Sequence, residues 1–273
     1  MRRPLSVWVI SIAIFFLTAA LIVSSGFAQE PLEHLKKAVG LPQVEETNPD
    51  GALSPAELGS GNTDFILTSP AGSLAQAMPR SSGYQPREEV ALADPSNYGE
   101  RYSQDADGNP LNNQYIVVLH ETVGSARSAI NLFQVNHPRD EDQVSYHTLI
   151  AADGTVIYVV PPEQRAFGAG NSAFLTANGE EAVATNPDFP SSVNNFAYHI
   201  SLETPPDGRN NGATTHSGYT EAQYQSLGWL IARSSIPNDR ITTHRMVDRS
   251  GSRIDPRSFE ADRLFEVLRQ YRG

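Results

Sequence analysis

The chain has 273 residues, a length that admits one large hydrophobic core or two small ones. Its formal net charge of −11 lacks the basic footprint that phosphate backbones demand, which argues against a nucleic-acid partner. It has no cysteine, and this removes disulfides, thiolate metal ligands and cysteine nucleophiles together. Any nucleophile must be a hydroxyl, a carboxylate or an activated water.

At the N-terminus Arg2 and Arg3 precede an apolar run from about Leu5 to Val23, and a small-residue exit from Ser24 to Ala28 follows. That is the pattern of an export segment, long for a cleaved signal and short for a comfortable membrane span. Residues 1–28 are therefore read as either a signal peptide or a retained signal anchor. Both put the rest of the chain outside the cytoplasm, in the periplasm or the extracellular space. Residues 29–112 are rich in Pro, Gly, Ser, Asn and Asp and hold 13 acidic against 5 basic residues. This composition predicts a disordered, low-complexity acidic spacer with one short amphipathic piece at Leu32 to Val39. Its last part, from about Glu88 and including Tyr98 and Tyr102, is where packing on the following domain is expected to start.

Residues 113–273 alternate between strand-like and helix-like stretches and are read as one domain. Tyr115 to His120 is a nearly unbroken β-rich run, as in a strand covered on both faces. Ser125 to Asn136 has helical spacing and is stopped by Pro138. Tyr146 to Ala151 and Thr155 to Val160 flank Ala152-Asp153-Gly154, which predicts a hairpin. Phe196 to Leu202 is another strand, with Glu203 at its exit before Pro205 and Pro206. Thr220 opens a capping box with Gln223, and Tyr224, Leu227 and Ile231 line one helix face. Ile241 to Thr243 is strand-like with His244 directly behind it, and Ala261 to Tyr271 forms a closing amphipathic helix. The order favours an α/β fold, a mixed central β-sheet with helices on its faces.

His120, His244 and Asp255 fall at strand ends or just beyond, where polar groups can converge over a shared crevice. Two imidazoles and a carboxylate suffice for a catalytic zinc, although spacing alone does not single out a metal site. Two rival hydrolase patterns are missing. His120-Glu121 begins an H-E-x-x-H run that fails at Gly124, and there is no G-x-S-x-G elbow.

Five segments in order strengthen the case: Ile116 to Thr122 (IVVLHET), Ser145 to Val160 (SYHTLIAADGTVIYVV), Arg165 to Ser172 (RAFGAGNS), Ala197 to Thr204 (AYHISLET) and Ile241 to Phe259 (ITTHRMVDRSGSRIDPRSF). On these, the region from Tyr115 to Phe259 resembles the zinc-dependent N-acetylmuramoyl-L-alanine amidase family, amidase type 2, which is related to peptidoglycan recognition proteins. The resemblance implies a zinc ion held by His120, His244 and Asp255, with Asp255 standing where some relatives have cysteine. It implies that Glu203 activates the attacking water and returns the proton to the leaving amine. It places Arg253 where the family often has lysine, to steady the developing oxyanion. The implied substrate is peptidoglycan or a muropeptide, cut between N-acetylmuramic acid and L-alanine. Two rivals stand beside that reading: a non-catalytic peptidoglycan-binding or regulatory module, and a zinc hydrolase of another amide.

The sequence departs from the family at Gly168, where many relatives have histidine in A-W-H-A-G, and at Arg257, where D-P-G has become D-P-R and sets an extra charge beside the metal loop. Structural readings remain for single residues. Glu203 could be an exposed strand-end carboxylate, Asp255 a turn residue before Pro256, and Tyr146 either a neighbour of the metal or a packing aromatic. His147 and His199 are read as satisfied strand residues without a metal role, and His34, His137 and His216 as solvated.

Overall fold

The computed structural model describes residues 83–272. The export segment and the Leu32 to Val39 piece lie outside them. Among the described residues, no helix is long and apolar enough to cross a membrane.

A six-stranded sheet carries the fold. In chain order its strands are β1 (Glu88–Val90), β3 (Ile116–Glu121), β4 (Thr148–Ile150), β5 (Val156–Tyr158), β9 (Ala197–Leu202) and β10 (Ile241–Thr243). The spatial order is β1-β5-β4-β9-β3-β10, and only the β4–β5 hairpin is antiparallel. Two small antiparallel pairs stand outside it: β2 (Tyr98–Glu100) with β6 (Gln164–Ala166), and β7 (Phe174–Thr176) with β8 (Gly179–Glu181). The helices are α1 (Ala126–Phe133), α2 (Glu221–Ala232), the single turn α3 (His244–Val247) and α4 (Ala261–Arg272). The expected mixed sheet flanked by helices is thus the architecture observed.

Alternation along the strands sorts the core into two faces, because successive side chains point to opposite sides. Val117 and Leu119 of β3, with Tyr198, Ile200 and Leu202 of β9, join Leu227 and Ile231 of α2 and Leu264 and Leu268 of α4. Ile116 and Val118 face the other way, towards Phe174, Val193, Phe196 and Val247. A third cluster on that second face holds Leu149, Ile157 and Phe133 of α1. The capping box is present in both halves: Thr220 Oγ1 accepts from the Gln223 amide at 3.1 Å, and Gln223 Oε1 accepts from the Thr220 amide at 3.0 Å. In the hairpin turn, Gly154 adopts φ +87°, and a Cβ there would lie 2.9 Å from the Ala222 carbonyl oxygen.

Two expectations change. The first helix stops at Phe133, short of Asn136, because residues from the preceding segment take its last carbonyls. The Asp94 amide donates to Phe133 O at 2.9 Å, and the Asn97 side-chain amide donates to Phe133 O and Val135 O at 2.8 and 2.9 Å. The second concerns β1, β2, β6, β7 and β8, which the hydrophobic pattern does not announce. Each is three residues long, and β1 (Glu-Glu-Val) is exposed throughout. Residues 83–112 therefore take part in the fold directly. β1 pairs with β5, and the Arg101 guanidinium donates to the Pro162, Asn195 and Ala197 carbonyls at 3.1, 2.8 and 2.9 Å. Burial pulls the Arg101 pKa down to about 10.

The contact between α2 and α4 is close enough to need a glycine. A Cβ on Gly228 would fall 2.3 Å from Val267 Cγ1, and Val267 is itself 3% exposed. Gly228→Ala is expected to destabilise the protein by about 1–3 kcal/mol despite its better helix propensity, since overpacking outweighs the propensity gain. Urea unfolding of the two proteins measures it.

Candidate metal centre

Parallel pairing brings the site together. β10 runs beside β3 with Thr243 opposite Leu119, so His244, the next residue, emerges beside His120. On the other flank of β3, β9 sets Ser201 opposite His120. The loop after α3 then returns Asp255, whose carbonyl accepts from the Arg245 amide at 2.9 Å.

His120, His244 and Asp255 each offer one donor atom, and these atoms lie within 4.8 Å of one another. The Asp255 carboxylate is 3.0 Å from His244 Nδ1 and 3.5 Å from His120 Nδ1, and the two rings are 4.6 Å apart between centroids. His120 is fully buried, and its Nδ1 has no hydrogen-bond partner. An orphaned buried ring nitrogen facing a second imidazole and a carboxylate fits a divalent ion that takes N and O donors, zinc in particular. Asp255 feels burial, which opposes its ionisation, and the close approach of the His120 and His244 rings, hydrogen-bonded in the case of His244, which prevails and holds its carboxyl far below the usual range.

Around this core Tyr146 stacks on the His120 ring at 4.4 Å and meets Phe133 edge-on, so it both packs and borders the donor set. Arg253 is exposed, and its positive charge acts on both His120 and Tyr146. Glu203 lies apart from the cluster in its bonding. One carboxylate oxygen accepts from the Ala126 amide at 3.0 Å and from Arg209 at 2.9 Å, and the other accepts from the Ala152 amide at 2.9 Å. It ties the start of α1 to the β4–β5 turn. The charges that weigh on His120 and Asp255 are their own, His244's and, on His120, Arg253's.

Three sequence readings need correction. His216 is not solvated: its side chain is buried, with Nε2 3.0 Å from Glu121 Oε2. His137 is held as well, with Nδ1 donating to Asn97 Oδ1 at 2.8 Å. The extra charge of Arg257 is turned into the interior rather than left open beside the metal loop. It is 2% exposed and bonded to Glu121 Oε1 at 2.5 Å, to Gly208 O at 2.6 Å, to Ala213 O at 2.9 Å and to Asn211 Oδ1 at 3.1 Å. Sequence reasoning also missed how far His199 is involved, since its Nδ1 is 2.9 Å from His120 Nε2. Only the alternation of β9 hinted at this, by placing His199 on the face of Ser201.

A histidine, histidine, aspartate set gathered at one end of a parallel sheet, within reach of the charge of exposed Arg253, has the donor chemistry of a divalent-metal site. The chain belongs to the N-acetylmuramoyl-L-alanine amidase family (Amidase_2), whose model matches residues 110–258, more than half of its length. Among solved structures it is similar to a selenomethionine derivative of AmpD at 23% identity, covering 68% of this chain and 97% of that one with a TM-score of 0.46. It is also similar to AmiD from E. coli, determined with anhydro-N-acetylmuramic acid-L-Ala-D-γ-Glu-L-Lys, at 21% identity over 63% of this chain and 65% of that one, TM-score 0.44. LysC from Clostridium intestinale URNW follows at 18% identity over 68% and 99% of the two chains, TM-score 0.39. No match was found among curated proteins.

Two outcomes are expected. Burial, the largest cause, depresses the His120 pKa to about 4 and holds His147 and His199 well below the ordinary 6.5. The unfolded chain therefore binds protons near pH 6.5 that the metal-free fold refuses, at His120 until about pH 4, and stability falls as pH drops through that window. For His120 alone the loss is on the order of 3 kcal/mol. Thermal unfolding of chelator-treated protein between pH 7 and pH 4 reads it. In the second, Glu203→Gln is expected to lower stability by about 1–2 kcal/mol by weakening the Arg209 and amide contacts. A hundredfold loss of turnover with unfolding unchanged would instead assign Glu203 to proton transfer.

Proposed function

We propose that this protein hydrolyses the amide between N-acetylmuramic acid and L-alanine in peptidoglycan or muropeptides, with a zinc ion at His120, His244 and Asp255. The carrying observation is the orphaned Nδ1 of buried His120, set against His244 and Asp255 in a chain of this family. When bound, zinc supplies Lewis acidity and brings the pKa of a water towards about 7. His120 and His244 offer neutral ring nitrogens and Asp255 the compensating negative charge. Exposed Arg253, whose charge reaches His120, supplies a fixed positive charge for the amide oxygen as it becomes an oxyanion under attack on the carbonyl. Tyr146 closes one side of the His120 ring and limits its rotation. We place this work outside the cytoplasm, on the strength of Arg2, Arg3 and the apolar run behind them.

The full chain, loaded with zinc and given muropeptides, is expected to release peptides beginning with L-alanine. Asp255→Ala should abolish both stoichiometric zinc and release, and Arg253→Ala should lower kcat about a hundredfold with KM little changed. A zinc-loaded protein that cuts no muropeptide would overturn the assignment.

One observation favours a second reading, binding without turnover. The residue in register beside His120 is Ser201, not an acid, and Glu203 is engaged by Arg209 and two amides. Saturable muropeptide binding by zinc-loaded protein without release selects that reading.

A further inference from the structure

His199 is the residue whose surroundings the proposed chemistry does not use. It is fully buried on β9, with Nδ1 2.9 Å from His120 Nε2. Its backbone is gripped on both sides by His147: the His199 amide donates to His147 Nδ1 at 2.9 Å, and its carbonyl accepts from the His147 amide at 3.0 Å. His147 Nδ1 accepts that main-chain N–H, and its Nε2 lies 3.1 Å from Gln164 O and 3.0 Å from the Arg101 guanidinium, so the ring is held at both nitrogens. The two rings stack nearly parallel, 9° apart in plane. Gly168 leaves the space for this arrangement. A Cβ there would lie 2.6 Å from His199 Nδ1 and 2.7 Å from its Cγ, so the ring of His199 occupies the volume next to the position where many relatives carry a histidine.

A neutral imidazole has one N–H, and the His120–His199 contact needs one proton between its two nitrogens. If His120 gives that proton from Nε2, its Nδ1 keeps a lone pair directed at His244 and Asp255. If His199 gives it, His120 Nδ1 carries hydrogen and cannot ligate. Metal-bound histidines are held in the ligating tautomer by whatever accepts from their other nitrogen, commonly a carboxylate or a carbonyl. Here that acceptor is an imidazole.

We propose that His199 is a positioning residue that accepts the Nε2–H of His120 and so fixes both the tautomer and the ring orientation that aim His120 Nδ1 at the metal. The proposal rests on the metal reading above. His199 then holds its own proton on Nε2, a nitrogen that is buried without a hydrogen-bond partner.

Two measurements on the full-length protein test it. Zinc affinity, read by competition with a chromophoric chelator, is expected to fall 10- to 100-fold in His199→Leu and to recover largely in His199→Gln, whose side-chain oxygen can accept. In the zinc-loaded wild type, 15N spectra should show His120 protonated at Nε2, His199 protonated at Nε2, and a coupling across the hydrogen bond between His120 Nε2 and His199 Nδ1. A folded His199→Leu that binds zinc as tightly as wild type overturns the proposal, as does zinc-loaded wild type with His199 protonated at Nδ1. Should the Leu variant fail to fold, the wild-type spectra decide alone. A wild type that binds no zinc removes the metal reading and this inference together, whereas wild-type binding with an insensitive His199 removes only the inference.

Discussion

Parallel pairing of β3 with β10 on one side and β9 on the other brings three strand ends to one level, and the chemistry of the molecule depends on that alignment. Two rings far apart in sequence meet because Thr243 stands opposite Leu119 and the residue after each is a histidine, and the loop after α3 then adds the Asp255 carboxylate. A shift of one residue would turn His120 into the face now filled by Val117, Leu119 and Ile200. The register is held by apolar alternation on both faces, so the core and the site are specified by the same residues.

The other half of the arrangement is a buried ion pair behind the donor set. Glu121, the neighbour of His120, points to the opposite side of the sheet, where Arg257, His216 and Tyr219 answer its charge. Arg257 follows Asp255 by two residues. The guanidinium that replaces a glycine of the family pattern thus joins the Asp255 loop to the strand carrying His120. Removing either partner would leave an uncompensated charge in the interior, which is far costlier than losing a surface pair.

Much of this was legible in the sequence. Long apolar runs gave β3 and β9, Ala152-Asp153-Gly154 gave the hairpin, and Thr220 with Gln223 gave the start of α2, because each is a local signal that the fold leaves intact. The three donor residues were found by type and place at strand ends. What stayed hidden was set by tertiary contact. β1 has no apolar alternation and is a strand only because β5 offers it a partner. Asn97 and Asp94 looked like spacer residues until α1 supplied carbonyls for them to cap. Glu203 and Arg257 were assigned from motif position, and the partners that claim them, Arg209 and Glu121, are six and 136 residues away. His199 could not be tied to His120 by spacing, since only the sheet brings them within reach.

The segment that wraps α1 and β5 bears on where this polypeptide can be cut. A fragment beginning at residue 113 would strip β1 from β5 and bare a row of main-chain donors and acceptors along Val156–Tyr158, a template for pairing with a second molecule. It would also take Arg101 from the carbonyls of Asn195 and Ala197, at the very entry to the strand that carries His199 and Ser201. The acidic stretch ahead of the family's motifs is, from Glu88 onward, the sheet's own protective margin.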